Sequence, residues 1–402
     1  EGHRQGEWLD RLETDNENLR AALEWSLAGA TETALRLTSS LWLFWRIRGY
    51  LAEGRRWLEA AFASAGSPSE ARAESLLGLG VITADLGDYA LAQERCSASL
   101  EDYRQLGHRR GVGRALRHVG ATWLFLRSSE RAAPLLAESL ATLEKAGDER
   151  DVAWTLRYVG AAQLANGEPE RGRASLLRSL SLLRRVGDKH AMAWVLHDLV
   201  AASIREGRTG AEPLADEEMA VALEIGDRRA VGAALGQMAT LALGRGDRAR
   251  ARQLIERSHA LCWETGYAQG VAWALTTLAH LARAEGDTAR AWATLRKCLG
   301  EMRPGRIAVT GEDALALAGL LAIDQGAHAD GARLVASSSR SASRLWPAAR
   351  FGAWELSNFE SALASARAAL GQDAFDRAWQ EGQAMTLEQS VEYALGLGPD
   401  PQ

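Results

Sequence analysis

The chain has 402 residues, of which 47% are hydrophobic and 25% charged, with a formal net charge of −5 at pH 7. This is an ordinary globular composition, long enough for several domains or one array, and the charge is too mild for nucleic-acid binding by the whole surface. No run of about 18 apolar residues and no basic-then-apolar leader is visible, so neither a membrane span nor a secretion signal is expected, and cytoplasm is the expected compartment. Cys96, Cys262 and Cys298 sit on apolar helix faces without paired spacing, which suits buried thiols better than a metal or disulfide set.

Residues 1–65 read as an N-terminal helical segment: Glu7 to about Ala28, Thr31 to Arg48 and Ala52 to Ser64, with Gly29 and Gly49 as stops. Trp25, Trp42, Trp45 and Trp57 fall on apolar faces. Each can bury roughly 150–250 Å², so all four are expected in the core. The segments Trp8-Leu9-Asp10-Arg11-Leu12-Glu13, Asn18-Leu19-Arg20-Ala21-Ala22-Leu23-Glu24-Trp25, Leu41-Trp42-Leu43-Phe44-Trp45-Arg46-Ile47-Arg48-Gly49 and Glu53-Gly54-Arg55-Arg56-Trp57-Leu58 resemble the start of the superhelical region in large bacterial STAND-type ATP-binding regulators, of the LuxR and antibiotic-regulatory (SARP) types. The resemblance implies that, in a parent protein, a nucleotide-binding domain and a winged helix precede this region.

Residues 66–302 carry two families of glycines half a period apart. Gly107, Gly147, Gly187, Gly226 and Gly266 are spaced 40, 40, 39 and 40 residues. Gly87, Gly167, Gly207, Gly246 and Gly286 form the other family, with Arg127 where a member is missing. A glycine every twenty residues or so, with 3.6-period apolar sequence between, is what a row of helix hairpins needs, and the period makes it a solenoid. Small residues recur in register: Gly80, Gly120, Gly160, Val200, Ala239 and Ala279 in one helix, and Ala92, Ala132, Gly172, Ala251 and Ala291 in the next. They let paired helices approach closely. The order of apolar, small and turn residues, as in Leu156-x-x-Val159-Gly160-x-x-Gln163-x-x-x-Gly167-x-x-x-x-Gly172, resembles the tetratricopeptide repeat in a long form of about 40 residues, with a HEAT-type repeat as the competing reading. Between Gly207 and Gly226 the unit is irregular, with Glu212 at a small position and Pro213 starting the second helix.

Residues 303–402 leave the register at Arg303-Pro304-Gly305-Arg306. Helices over Asp313 to Gln325 and Ala329 to about Ser341 read as a degenerate last hairpin, and after Trp346-Pro347 come three helices that form a C-terminal cap. Thr386-Leu387-Glu388-Gln389 has the pattern of a capping box. The ending Ala378-Trp379-Gln380-Glu381-Gly382, with Met385-Thr386-Leu387-Glu388-Gln389-Ser390-Val391, resembles the ends of the same regulators. The expected fold is therefore all-α: a tetratricopeptide-like helical-hairpin solenoid, a right-handed superhelix with non-repeat helical caps at both ends.

Chemistry has no candidate residues. There is no Gly-x-x-x-x-Gly-Lys-Ser/Thr phosphate loop, no Gly-x-Ser-x-Gly turn, no His-Glu-x-x-His and no Cys-x-x-Cys. No cofactor is expected in this segment, ATP belonging only to the upstream domain that the resemblance implies. His190 and His197 lie seven apart on one helix without a third ligand, which suits a solvated or partner-facing pair. In tetratricopeptide register, the second, fifth and sixth positions of each first helix face the groove. Here they are Trp154, Trp194 and Trp273 (with Arg114 and Ala233 in other units); Arg117, Arg157 and His197; and His118, Tyr158 and Asp198. Aromatic faces beside guanidinium groups suit a peptide or a small anionic or ring-bearing ligand. Packing of these tryptophans between helices is the competing reading. Two functions stay open. One is a non-catalytic sensor arm of a regulator, binding an inducer or protein partner and restraining its own upstream ATPase domain. The other is a free-standing adaptor for partner peptides. Direct DNA contact by this segment is not expected, and the chain is expected to be a module of a longer protein.

Overall fold

The structure, a computed structural model, describes residues 2–63, 65–301, 308–338 and 353–398, and every regular element among them is an α-helix. The expected turns at residues 303–306 and the Trp346-Pro347 step lie outside the described residues. Four helices precede the repeats: α1 (Gln5–Thr14), α2 (Asn16–Leu27), α3 (Thr31–Arg48) and α4 (Leu51–Ala63). The single helix expected over Glu7–Ala28 is two helices. Thr14 Oγ1 bonds back to the Asp10 carbonyl at 3.0 Å, and Asp15 sits at φ −90°, ψ 6°. A Thr-Asp-Asn run offers the backbone side-chain partners that compete with helix continuation. Gly49 stops α3 in the left-handed region at φ 83°, whereas α2 ends through Ala28 in a right-handed conformation, without help from Gly29. Trp42, Trp45 and Trp57 are buried as expected, but Trp25 is 71% exposed on α2.

Six hairpins follow, α5 (Glu70–Asp85) with α6 (Tyr89–Gln105), α7 (Arg109–Phe125) with α8 (Ser129–Ala146), α9 (Glu149–Ala165) with α10 (Pro169–Val186), α11 (Lys189–Arg205) with α12 (Ala211–Glu224), α13 (Arg228–Gly244) with α14 (Arg248–Thr265), and α15 (Ala268–Ala284) with α16 (Thr288–Gly300). Both glycine families adopt positive φ throughout, from 61° at Gly207 to 87° at Gly87. The residue after many of them caps the next helix at once: Asp148 accepts from Asp151 N–H, Asp188 from Ala191 N–H and Asp227 from Ala230 N–H. His108 Nδ1 accepts from Gly111 N–H in the same way. A left-handed terminator followed by a side-chain N-cap reverses the chain in about two residues and satisfies orphan backbone groups on both sides. Arg127 adopts φ 60°, the single positive-φ non-glycine among the described residues.

Within hairpins the small positions are close contacts. A Cβ built on Gly160 would stand 2.9 Å from the Gly172 carbonyl oxygen, and one on Gly319 2.7 Å from that of Gly331. A second device, which sequence patterning does not announce, locks several of the pairs. Ser99, Ser139 and Ser179 on the second helices donate to the carbonyls of Ala73, Gly113 and Ala153, each 26 residues earlier, at 2.7, 2.7 and 2.6 Å. Cys298 makes the equivalent contact to Ala272 at 3.7 Å. Glu218 occupies this position in the irregular hairpin, whose second helix has only 14 residues. It pairs with His197 Nδ1 at 3.0 Å instead.

The chain forms two compact units. Unit 1 comprises residues 1–199, 213–234 and 261–268; unit 2 comprises 200–212, 235–260 and 269–402. In unit 2 the hairpin of α17 (Ala308–Asp324) and α18 (His328–Ser338) packs against α19 (Ala353–Leu370) and α20 (Gln372–Ala384) through Leu320, Ile323, Ala332, Ala366, Phe375 and Ala378. Gly382 lies on the Arg333 carbonyl, closer than any larger side chain allows. The last helix, α21 (Leu387–Leu395), opens with the expected capping box: Thr386 Oγ1 accepts from Gln389 N–H at 3.2 Å, and Gln389 Oε1 accepts from Thr386 N–H at 2.7 Å. Trp292 is wholly buried beneath Gly398 and donates to Gln325 at 2.9 Å. All three cysteines are buried thiols, as expected; burial pushes the Cys96 thiol up to about 12.

Two predictions follow from these turns and locks. Left-handed backbone costs an L-residue about 1–2 kcal/mol, part of which the greater unfolded-state entropy of glycine cancels. Arg127→Gly should therefore raise stability by roughly 0.5–1 kcal/mol in urea unfolding; a lower midpoint would show that the Arg127 side chain outweighs its backbone. The second concerns the His197–Glu218 pair, which faces Asp198 and Arg157. Burial raises the Glu218 carboxyl despite His197. The His197 imidazole is lowered by burial but raised further by Glu218, ending above its usual value. Both groups hold protons more tightly when folded, so the pair stabilises below the unfolded values and loses that contribution as pH rises through the folded ones. Glu218→Ser, which restores the hairpin lock toward Met192, should lose less stability than the unaltered chain between pH 5.5 and 8 in thermal melts. Buried His118 and His190, both lowered, respond in the opposite sense and are common to the two proteins. Parallel pH profiles would refute the assignment.

Candidate functional site

The first helices of the unit 1 hairpins turn one face inward, and the predicted groove residues stand on it. They are covered. Arg117, His118, Trp154, Arg157, Tyr158 and Trp194 are all buried, and His197 and Asp198 half-buried. Part of the cover is the N-terminal segment: Gln5 on α1 donates to Asp188 at 3.4 Å and accepts from His190 N–H at 3.0 Å, and Arg48 on α3 donates to the Ile225 carbonyl at 3.3 Å. Trp273 belongs to unit 2 and is half-buried there beside Gly236.

The buried cations are matched one repeat away. Arg114 makes a bidentate pair with Glu74 at 2.9 and 2.7 Å, 40 residues earlier. Arg157 pairs with Asp198 at 2.7 Å, 41 residues later, and Arg46 with Asp85 at 2.7 Å, 39 residues later. Arg117 and Arg110 both reach Asp151, at 3.0 and 2.9 Å. Burial alone would raise the Asp151 carboxyl, but Arg117, Arg114 and Arg110 hold it well below the usual range. Asp85 is likewise kept low, against burial, by Arg229 and Arg46. Burial and the Arg117, Arg46, Arg114 and Arg157 guanidinium groups keep His118 neutral. Such pairs cost several kcal/mol when one partner is removed, because the other is left buried and uncompensated.

The histidines expected to be solvated or partner-facing each have a carboxylate of their own. His190 is fully buried and bonded to Asp227 at 2.7 Å, while His197 meets Glu218. Among the described residues no His, Cys, Asp and Glu group could hold a metal ion. The aromatic groups gather around the Trp194 indole, which meets His197 and Tyr267 at 5.6 and 5.8 Å between ring centroids. The guanidinium carbons of Arg157 and Arg229 lie 5.5 and 4.8 Å from its ring. Trp154 donates to Asp188 at 3.3 Å with its ring 5.5 Å from His190, and Tyr158 meets His118 at 6.3 Å.

A cavity of about 780 Å³ opens in unit 1, walled by other residues of the same helices. From α1 and α3 come the apolar Trp8, Leu9, Leu12, Leu43 and Phe44 together with the polar Gln5, Glu32, Arg36 and Ser40. From the start of α5 and the first turns of α7 and α9 come Glu74, His108, Arg110, Arg114 and Arg150. Trp8 is half exposed at this site, with Arg11 stacked 5.0 Å from its ring. Among these only Arg114 was singled out by register. Aligning charges at one-repeat spacing, such as Arg46 with Asp85 and Arg157 with Asp198, would have marked the inner arginines as inter-repeat ties.

No family model matches the chain. Over 84 residues it is 34% identical to putative HTH-type transcriptional regulators of Mycobacterium tuberculosis and Mycobacterium bovis, a stretch that is 20% of this chain and 9% of each relative. The chain therefore matches less than a tenth of the length of these relatives. Among solved structures, a Rap conjugation gene regulator of plasmid pLS20 in complex with the Phr* peptide aligns with a TM-score of 0.54 at 13% identity, covering 66% of this chain and 72% of that one. A Rap protein complexed with competence and sporulation factor aligns with a TM-score of 0.53 at 14% identity, covering 66% and 74%. In fold, the chain is an all-α, tetratricopeptide-like array of helical hairpins.

Proposed function

We propose that this chain is the non-catalytic sensor and protein-interaction arm of a bacterial signal-transduction ATPase or transcriptional regulator, and that the unit 1 cavity receives its peptide partner or inducer. The observation that carries the reading is the cavity itself: about 780 Å³, lined by apolar side chains of α1 and α3 interspersed with polar and charged groups of α1, α3, α5, α7 and α9. A void of that size with apolar surface and convergent polar groups is the form a ligand site takes. An extended peptide can lay apolar side chains on Trp8 and Leu12 while its backbone and acidic groups meet the arginines. Two further findings support it: the 84-residue similarity to putative HTH-type regulators, and the two Rap structures of similar fold, one in complex with the Phr* peptide and one with competence and sporulation factor. In the parent protein, ATP would belong to the upstream domain. No helix among the described residues is long and apolar enough to cross a membrane.

Trp8→Ala and Ser40→Trp test the cavity without touching a buried ion pair, since Trp8 is half exposed and Ser40 is an exposed residue of the lining. Both should keep the melting behaviour within about 0.5 kcal/mol, as exposed positions do. A random dodecapeptide library selected on the whole chain should enrich peptides with alternating apolar and acidic residues, whose affinity falls about tenfold or more on either variant. No enrichment, or peptides indifferent to both substitutions, would overturn the cavity as the working site.

A further inference from the structure

Away from the cavity, unsatisfied donors collect at one indole. Arg229, on the first turn of α13, is wholly buried. Its guanidinium carbon lies 4.8 Å from the Trp194 ring and 5.2 Å from the Tyr267 ring. Tyr267 stands where other units place a capping Asp or His after the turn glycine, so in this unit the cap has been exchanged for an aromatic wall. One edge of the guanidinium pairs with Asp85. The other edge, Nε and Nη2, has no partner among the described residues, and neither does the adjoining Trp194 Nε1.

Asp85 serves both Arg229 and Arg46, the latter at 2.7 Å, and the Asp227 carboxylate, bonded to a neutral His190, adds its charge to the field at both guanidinium groups. Asp198 is paired with Arg157 and Glu218 with His197, so none of these carboxylates bonds the free edge of Arg229. Buried donors are almost always satisfied, and leaving a charged one unmade is costly. The Nε–Nη2 fork matches the two oxygens of a carboxylate or phosphate in a bidentate pair.

We infer that unit 1 holds a second ligand site, separate from the cavity, in which the Nε–Nη2 edge of Arg229 and the Nε1 of Trp194 bind a small oxyanion, a carboxylate or a phosphoryl group.

The test is thermal unfolding of the whole chain in sodium acetate, sodium phosphate or sodium chloride at matched ionic strength. Acetate or phosphate should raise the melting temperature saturably relative to chloride, following the logarithmic ligand dependence of linked binding. A response to acetate alone identifies a carboxylate ligand, and one to phosphate alone a phosphoryl group. Trp194→Phe keeps the ring and removes one donor, and should weaken apparent binding about tenfold. Arg229→Lys keeps the charge but not the fork and should abolish saturation. If the lysine variant fails to fold, Trp194→Phe alone decides. No saturable response in the unaltered chain, or one unchanged in Trp194→Phe, would overturn the site and leave water as the occupant. The Trp8 and Ser40 variants should respond like the unaltered chain, so failure of the cavity reading and failure of this one remain distinguishable.

Discussion

The structure rests on one repeated backbone constraint: a residue in the left-handed region, recurring about every twenty residues and followed at many of the turns by a side-chain N-cap. The positive φ ends one helix and bonds its last carbonyls, and the next side chain satisfies the first amides of the following helix. Because so little chain is spent on each reversal, successive helices pack antiparallel with their small residues in register. Gly160 against the Gly172 carbonyl and Gly319 against that of Gly331 show how close the approach is. The serine locks at Ser99, Ser139 and Ser179 add a directional bond at the same place in three hairpins, fixing rotation as well as separation.

Regular spacing between hairpins places charges at fixed intervals, and the inner face of unit 1 uses them. A guanidinium in one repeat meets a carboxylate one repeat away, as Arg157 meets Asp198, so neighbours are tied by buried ion pairs in addition to apolar packing. Such pairs contribute little net stability over a well-packed apolar alternative, yet each partner depends heavily on the other. They therefore act chiefly on register: a hairpin shifted along its neighbour would strand several charges at once. Aromatic rings between the rungs, Trp154, Tyr158 and Trp194, are held by these charges from more than one side.

Specialisation concentrates where the period falters. In the hairpin between Gly207 and Gly226 the second helix is short and Glu218 replaces the locking serine, and one repeat later, after Gly266, Tyr267 replaces a capping residue. Tyr267 and His197, the partner of Glu218, both meet the Trp194 indole. The N-terminal helices do comparable work on the other side. Their residues, apolar Trp8, Leu12 and Phe44 and polar Arg36 and Ser40 among them, line one cavity together with the charged first turns of α5, α7 and α9.

Local rules sufficed for the all-α class, the repeat period, the hairpin partners and the turn glycines, because each follows from contacts a few residues to one repeat apart: a left-handed stop, an apolar stripe, a small residue opposite a backbone. The capping box at Thr386 and the burial of Trp42, Trp45 and Trp57 belong to the same class of inference. Position within a repeat put Arg117, Arg157 and Trp194 on a groove face; the structure buries all three. That the face is covered was not legible, because its cover comes from α1 and α3, through contacts such as Gln5 with Asp188 that span 183 residues. No periodic signal encodes a pairing made once. Trp25 shows the same limit: its helix is amphipathic, but no described neighbour arrives to bury the indole. The sequence alone thus determined the element, its period and its inward face, which depend on spacing. Tertiary structure decided which inward groups are paired, which are left unmatched, and where space remains, since those depend on distant segments meeting in unit 1.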